Sequence, residues 1–232
     1  MYHIDVAGDG NCLFTAIRLA MEINYILHKL SLGQKPSQII MNGTNNAMIK
    51  AGLRVRMKII EWYRNNLETK IPSFGCYSEK KSDESSSSRE WKRGDLLALE
   101  MIKKGKDVEE SGCQRENAML KYLLEMSLPG TWGSTPEYTA AAFMTNSEIQ
   151  VWQIGDDKNL KLMDSVNKIM HQEEKELSDD VIMEQGLLSS KQDILRIQFR
   201  RNHYTTLITE EQYETLKTSL GEDFVSHMKI IK

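Results

Sequence analysis

The feature that most constrains the fold is the hexapeptide Asp9-Gly10-Asn11-Cys12-Leu13-Phe14 and the apolar stretch it opens. Three turn-forming residues run directly into Leu13, Ile17, Ala20, Met21 and Leu27 at near-helical spacing, and Phe14, Ile23 and Ile26 widen the stripe. A stripe that wide predicts a buried helix from 13 to about 30, broken by Gly33 and Pro36. A cysteine is thereby placed at the start of an interior helix. Far downstream, Arg201-Asn202 turns the chain into His203-Tyr204. One cysteine at a helix start and one distant histidine is the layout of many thiol hydrolases.

The remaining pattern places helices early and strands late. Residues 2–8 read as an extended lead-in. A second helix is predicted over Asn46 to Asn66, with Ile49, Leu53, Met57 and Ile60 as its apolar stripe and Arg54, Arg56, Lys58 and Arg64 around the rest. The run from Ser82 to Ser88 is polar and of low complexity, an exposed loop. Asp95 caps a predicted helix that ends at Lys103-Lys104-Gly105-Lys106, and another helix spans about Gln114 to Met126. Pro129-Gly130 is a turn. Ser134 and Glu137 have capping-box spacing, with Pro136 in the first helical turn.

The period then changes. Ile149, Val151, Trp152 and Ile154 mark a strand, Gly155-Asp156-Asp157 a turn, and 160–163 a return strand. Residues 166–192 are polar and read as an excursion. Leu195, Ile197 and Phe199 alternate with polar residues as a half-buried strand, and His203 to Ile208 is its partner. Thr209 and Gln212 cap a final helix. The expected class is α+β, a small mixed sheet clasped by helices in one domain spanning 1–232, with residues 75–125 as a helical insertion.

Composition removes several functions. The chain has 232 residues with 40% hydrophobic content, enough for one sizeable core. A net charge of -3 argues against phosphate-driven nucleic-acid binding. No apolar run approaches the ~20 residues of a membrane span. Met1-Tyr2-His3-Ile4-Asp5 lacks the order of a secretory signal. Cys12, Cys76 and Cys113 are odd in number and widely spaced, which points away from a disulfide framework and toward a reducing, cytoplasmic setting. Neither they nor the five histidines have zinc-ligand spacing, so no metal and no cofactor is expected.

A cysteine attacks as its thiolate, which a helix N-terminus or an imidazolium favours. Cys12 has the helix, and His203 is the candidate base that takes the thiol proton and returns it to the leaving amine. Free N–H groups around Asp9, Gly10 and Asn11 are candidate oxyanion donors. Taken alone, Cys12 would be a small buried hydrophobe and His203 a strand-end residue. Asp9 taken alone would be a turn aspartate, and Trp132 a packing residue.

The same residues resemble a family. Asp9 to Phe14 is similar to the cysteine box of the OTU (ovarian tumour) cysteine proteases. Leu53-Arg54-Val55-Arg56, then Thr131-Trp132-Gly133 with Glu137, Ala140 to Ala142 and Ile149 to Trp152, then Ile197-Gln198-Phe199 leading to His203-Tyr204, resemble its later blocks in the family's order. The resemblance implies a papain-like arrangement, Cys12 as nucleophile and His203 as base. It further implies ubiquitin and polyubiquitin chains as partners and the bond after ubiquitin's C-terminal glycine as substrate; the sequence leaves the oligomeric state open, with a monomer expected. A ubiquitin-binding module without catalysis and a papain-like protease acting on other peptides are the alternatives. Many members carry Asn or Asp two residues after the histidine. Here that position is Thr205, so the acid that orients His203 is expected upstream, at Asp5 or Asp9. The insertion at 75–125 resembles the enlarged accessory lobe of bacterial effector members, which would place the protein in a host cytosol.

Overall fold

The computed structural model describes residues 1–36, 42–68, 70–71, 91–92, 94, 97, 100–101, 112–166 and 193–231. Its elements, in chain order, are β1 (Tyr2–Ile4), α1 (Cys12–Ser31), α2 (Asn46–Asn66), β2 (Lys70–Ile71), β3 (Trp91–Lys92), α3 (Gly112–Ser127), α4 (Thr135–Thr145), β4 (Glu148–Ile154), β5 (Leu160–Val166), β6 (Ile194–Arg200), β7 (His203–Ile208), α5 (Glu210–Leu220), α6 (Glu222–Val225) and β8 (Lys229–Ile230).

A six-stranded sheet runs in the order β5-β4-β6-β7-β1-β8, while β2 and β3 pair separately. β4 and β6 are parallel and the other pairings of the large sheet are antiparallel. The β6–β7 hairpin turns on Arg201 (φ 49°) and Asn202 (φ 61°). Two central residues at positive φ make a type I′ connection, whose twist suits the flanking strands. That turn sets the register and places His203 opposite Arg200.

α1 lies across β6 and β7, with α2 on its outer side and α3 and α4 packed on α2. Leu13, Phe14, Ala16, Ile17, Leu19, Ile23 and Ile26 of α1 are fully enclosed, as the wide apolar stripe requires. The α1–α2 crossing is close at Gly52. A Cβ there would press on Thr15 Oγ1 and lie 3.0 Å from the Thr15 backbone. Thr206 of β7 ties the sheet to α1 by donating its hydroxyl to the Ala16 carbonyl at 2.9 Å.

The helix α2 corrects the expected stripe. Its buried residues are Met48, Gly52, Arg56, Ile59, Ile60, Trp62 and Tyr63. Met57, expected inside, is 51% exposed. The inward face is rotated by about one position because an arginine and a glycine occupy two of its turns, and neither registers as apolar. Gln198, expected on the polar side of its strand, is also buried.

The two caps differ. Thr209 Oγ1 accepts from Gln212 N–H at 3.1 Å while Gln212 Oε1 accepts from Thr209 N–H at 2.9 Å, a complete box. At α4, Ser134 N–H donates to Glu137 Oε2 at 2.7 Å, but among the described residues Ser134 Oγ has no partner. Glu137 Oε1 instead accepts from the buried Tyr122 hydroxyl at 2.8 Å.

Leu97, Glu100 and Met101 are helical, within the helix expected after Asp95, with Leu97 and Met101 buried, and Gly94, before Asp95, is helical as well. The Ser82–Ser88 loop, Lys103 to Lys106, Cys76 and most of the polar excursion at 166–192 lie outside the described residues, as does most of the 75–125 insertion. Among the described residues no helix is long and apolar enough to cross a membrane.

Candidate active site

Cys12 is the first residue of α1 and is buried. The loop before it is shaped by Gly10, at φ +78°, where a Cβ would run into the Gly130 peptide. Only glycine holds that conformation at no steric cost and leaves room for the Pro129-Gly130 turn. Asp9 braces the loop from within. Its Oδ1 accepts from Asn11 N–H at 2.9 Å, and its Oδ2 lies 3.4 Å from Asn11 Nδ2.

The backbone N–H groups of Tyr204, Leu13 and Cys12 itself lie around the Cys12 sulfur and favour its thiolate. Burial pushes the thiol up from its ordinary value, and the Asp9 charge adds to that. The three N–H groups pull the other way without overcoming it. α1 packs on β7, the strand that begins with His203-Tyr204. The His203 ring stands beside Gly8, 4.0 Å from where a Cβ at that position would lie. Among the described residues no hydrogen bond joins His203 to Cys12 Sγ. Catalytic hydrogen bonds are often long before substrate binds.

The three candidates for orienting His203 separate. Asp9 spends its carboxylate on its own loop. Thr205 donates to Gln198 Oε1 at 3.4 Å, a long bond between buried groups. Asp5 follows β1, whose register pairs His3 with Leu207 and Ile4 with Thr206. Continued by one residue, that register sets Asp5 beside Thr205 and diagonal to His203, on one face of the sheet. Burial alone would raise the Asp5 carboxyl. A hydrogen bond from Lys229, then the charges of His3, Lys229 and His203, hold it below the ordinary value. Lys229 Nζ reaches Asp5 Oδ2 at 2.6 Å, and His3 Nε2 lies 3.4 Å from Oδ1.

In the expected oxyanion loop, the Asn11 N–H donates to the Asp9 carboxylate. Among the described residues the Asp9 and Gly10 N–H groups have no hydrogen-bond partner.

The sequence pattern also missed Arg56. It is 1% exposed, yet its guanidinium is saturated. Nε donates to Asn11 Oδ1 at 2.8 Å. One terminal nitrogen donates to the carbonyls of Met126 (2.9 Å) and Leu128 (3.3 Å), the other to those of Gly10 (2.8 Å) and Thr131 (2.5 Å). Its plane lies 4.2 Å from the centre of the Phe14 ring. The only advance signal was its place in the Leu53-Arg54-Val55-Arg56 block. Trp132, beside Thr131, is half exposed on the rim of this region.

A thiol at a helix N-terminus, served by a strand that begins with histidine, defines a cysteine-protease arrangement. The family model described as OTU-like cysteine protease matches residues 7–206. The chain belongs to that family, and its α+β architecture is the OTU fold. Among solved structures, an OTU deubiquitinase from Wolbachia pipientis wMel is similar at 13% identity and a TM-score of 0.44, covering 94% of each chain. An OTU deubiquitinase from Wolbachia pipientis wMel bound to ubiquitin matches at 11% identity and TM-score 0.44, over 90% of this chain and 96% of that one. The viral OTU domain protease of Farallon virus matches at 16% identity and TM-score 0.42, over 89% and 82%. No curated protein matches the sequence.

Proposed function

We propose that this OTU family member is a deubiquitinase that hydrolyses the bond after the C-terminal glycine of ubiquitin in chains or conjugates. The observation that carries the reading is the Cys12 thiol at the N-terminus of α1, a helix packed on β7, the strand that begins with His203.

The chemistry follows from the groups present. His203 takes the thiol proton, and the sulfur attacks the scissile carbonyl carbon. The oxyanion that forms accepts from the N–H groups of Asp9 and Gly10. Collapse expels the amine, which leaves with the proton His203 holds. Water, deprotonated by His203, then cleaves the thioester and restores the thiol. Asp5 orients the imidazole and stabilises its cation. The thiol is kept reduced by a cytoplasmic setting, and no metal or cofactor takes part.

A ubiquitin carrying a C-terminal propargyl amide tests the reading. Wild-type protein should form a covalent adduct at Cys12, and Cys12→Ala none. Folded wild-type protein that forms no adduct would sink it.

A second reading has its own support. The raised thiol and the missing His203–Cys12 bond describe a site at rest, which suits a module that binds ubiquitin without turnover. Titration with mono- and di-ubiquitin separates the two. Binding that Cys12→Ala leaves unchanged, without cleavage of any linkage, favours the module.

A further inference from the structure

We propose that Arg56 is a positioning residue of the active site, clamping the Gly10-Asn11 segment against the Met126–Thr131 segment so that the Cys12 thiol keeps its place at the N-terminus of α1. The inference rests on Cys12 being the reactive thiol, as in the function proposed above.

The geometry is that of a clamp and not of packing alone. A buried guanidinium is costly unless its donors are met, and here they are met by acceptors from two separate loops. Two acceptors, Gly10 O and Asn11 Oδ1, belong to the residues immediately before the nucleophile. Three more, the carbonyls of Met126, Leu128 and Thr131, belong to the turn whose Gly130 meets Gly10. The planar fork fixes the angle between the loops, which the single rotating ammonium of a lysine cannot do. Phe14, two residues after Cys12, lies against one face of the guanidinium.

The clamp also puts a fixed cation near the sulfur. The groups facing this region are Asp9 of the loop, His203 and Tyr204 of β7, Glu137 of α4 and Tyr122 of α3. The charges of Glu137, Asp9 and Cys12 all favour the Arg56 cation, against its burial. Charge and alignment are separable by substitution. Arg56→Lys keeps the charge and loses the fork, and Arg56→Gln loses both.

The test is the pH dependence of Cys12 alkylation by iodoacetamide, with Cys76 and Cys113 replaced by serine. Thermal melts run in parallel, and Ile26→Val serves as a destabilised control far from the loop. In Arg56→Lys the alkylation midpoint should rise by about one pH unit, a tenfold loss of thiolate at a fixed lower pH. Arg56→Gln should rise further, and Ile26→Val should keep the wild-type profile. With a ubiquitin-amide substrate, Arg56→Lys should lose kcat on the order of 10²-fold with KM little changed.

A folded Arg56→Lys and Arg56→Gln pair with the wild-type profile would make Arg56 a packing residue and overturn the proposal. If neither variant folds, Asn11→Ala decides. It removes one acceptor of the clamp and should shift the midpoint in the same direction, and an unmoved midpoint overturns the clamp. Alkylation needs no ubiquitin, so a normal clamp in a protein that ignores ubiquitin would sink the proposed substrate alone.

Discussion

At the scale of single residues, Cys12 is held between opposing forces. Burial disfavours its thiolate, and the N–H groups of Tyr204, Leu13 and Cys12 favour it, with burial ahead. The resting thiol should therefore titrate above its ordinary value of 9.0, with alkylation slow at neutral pH and accelerating only in alkali. A midpoint near 7 in the free protein would contradict this. The sign carries into stability. A raised folded-state value favours the folded protein below pH 9, and the contribution is lost as pH rises through the folded midpoint. Asp5 and Asp9 are equally plausible from sequence and unequal in the fold. Asp5→Asn should lower kcat by about 10³-fold or more, by analogy with other triads. Asp9→Asn retains an acceptor for Asn11 N–H and should cost far less. Steady-state kinetics on di-ubiquitin reads both, and the reverse order would move the acid to the loop. The distinction was not legible in the sequence because it depends on a strand register that only pairing with β7 sets.

At the scale of elements, the helices were legible wherever their inward face is apolar throughout. α1 matched its stripe because Leu13, Ile17, Ile23 and Ile26 are all aliphatic. α2 began and ended where the pattern placed it but turned a different face inward, since Gly52 and Arg56 serve close approach and hydrogen bonding. Hydrophobic periodicity cannot see either purpose. The strands β6 and β7 and their two-residue turn were readable from alternation and from Arg201-Asn202. The face on which Gln198 and Thr205 are buried was not, because polar side chains that meet across the hairpin do not register as apolar. The close crossing makes a prediction. Gly52→Ala gains about 1 kcal/mol of helix propensity. It also drives a methyl group into Thr15, where both the hydroxyl and the backbone obstruct, and overpacking of that kind costs about 1–3 kcal/mol. The net effect should be destabilising, read as a lower urea midpoint with an unchanged slope. An equal or higher midpoint would mean that α1 and α2 have room to separate.

At the scale of the whole molecule, the two ends of the chain meet in the sheet. β1 lies between β7 and β8, with His3 opposite Lys229 and Tyr2 opposite Ile230, and Ile231 N–H donates to Met1 O at 3.1 Å. Tyr2 also stacks on Tyr213 of α5, their ring centres 3.8 Å apart. The segment after residue 206, where the family match ends, thus supports the strand that carries Asp5. It acts on Asp5 in two opposed ways. As a strand partner, β8 holds β1 in register beside His203. As a charge, Lys229 draws the Asp5 carboxylate to itself. Lys229→Ala removes only the competitor, and since both side chains are largely exposed the pair is worth roughly 0.2–1 kcal/mol. Its kcat should rise roughly 1.4- to fivefold if the whole of that energy is released to the His203 contact. Ending the chain after Met228 removes competitor and strand together while keeping the buried Val225 and Met228. That variant should lose kcat instead, and hydrogen exchange at Tyr2 to Asp5 should quicken while α1 stays protected. If both variants raise kcat, β8 has no part in holding β1. If both lower it, Lys229 supports Asp5 and does not compete for it.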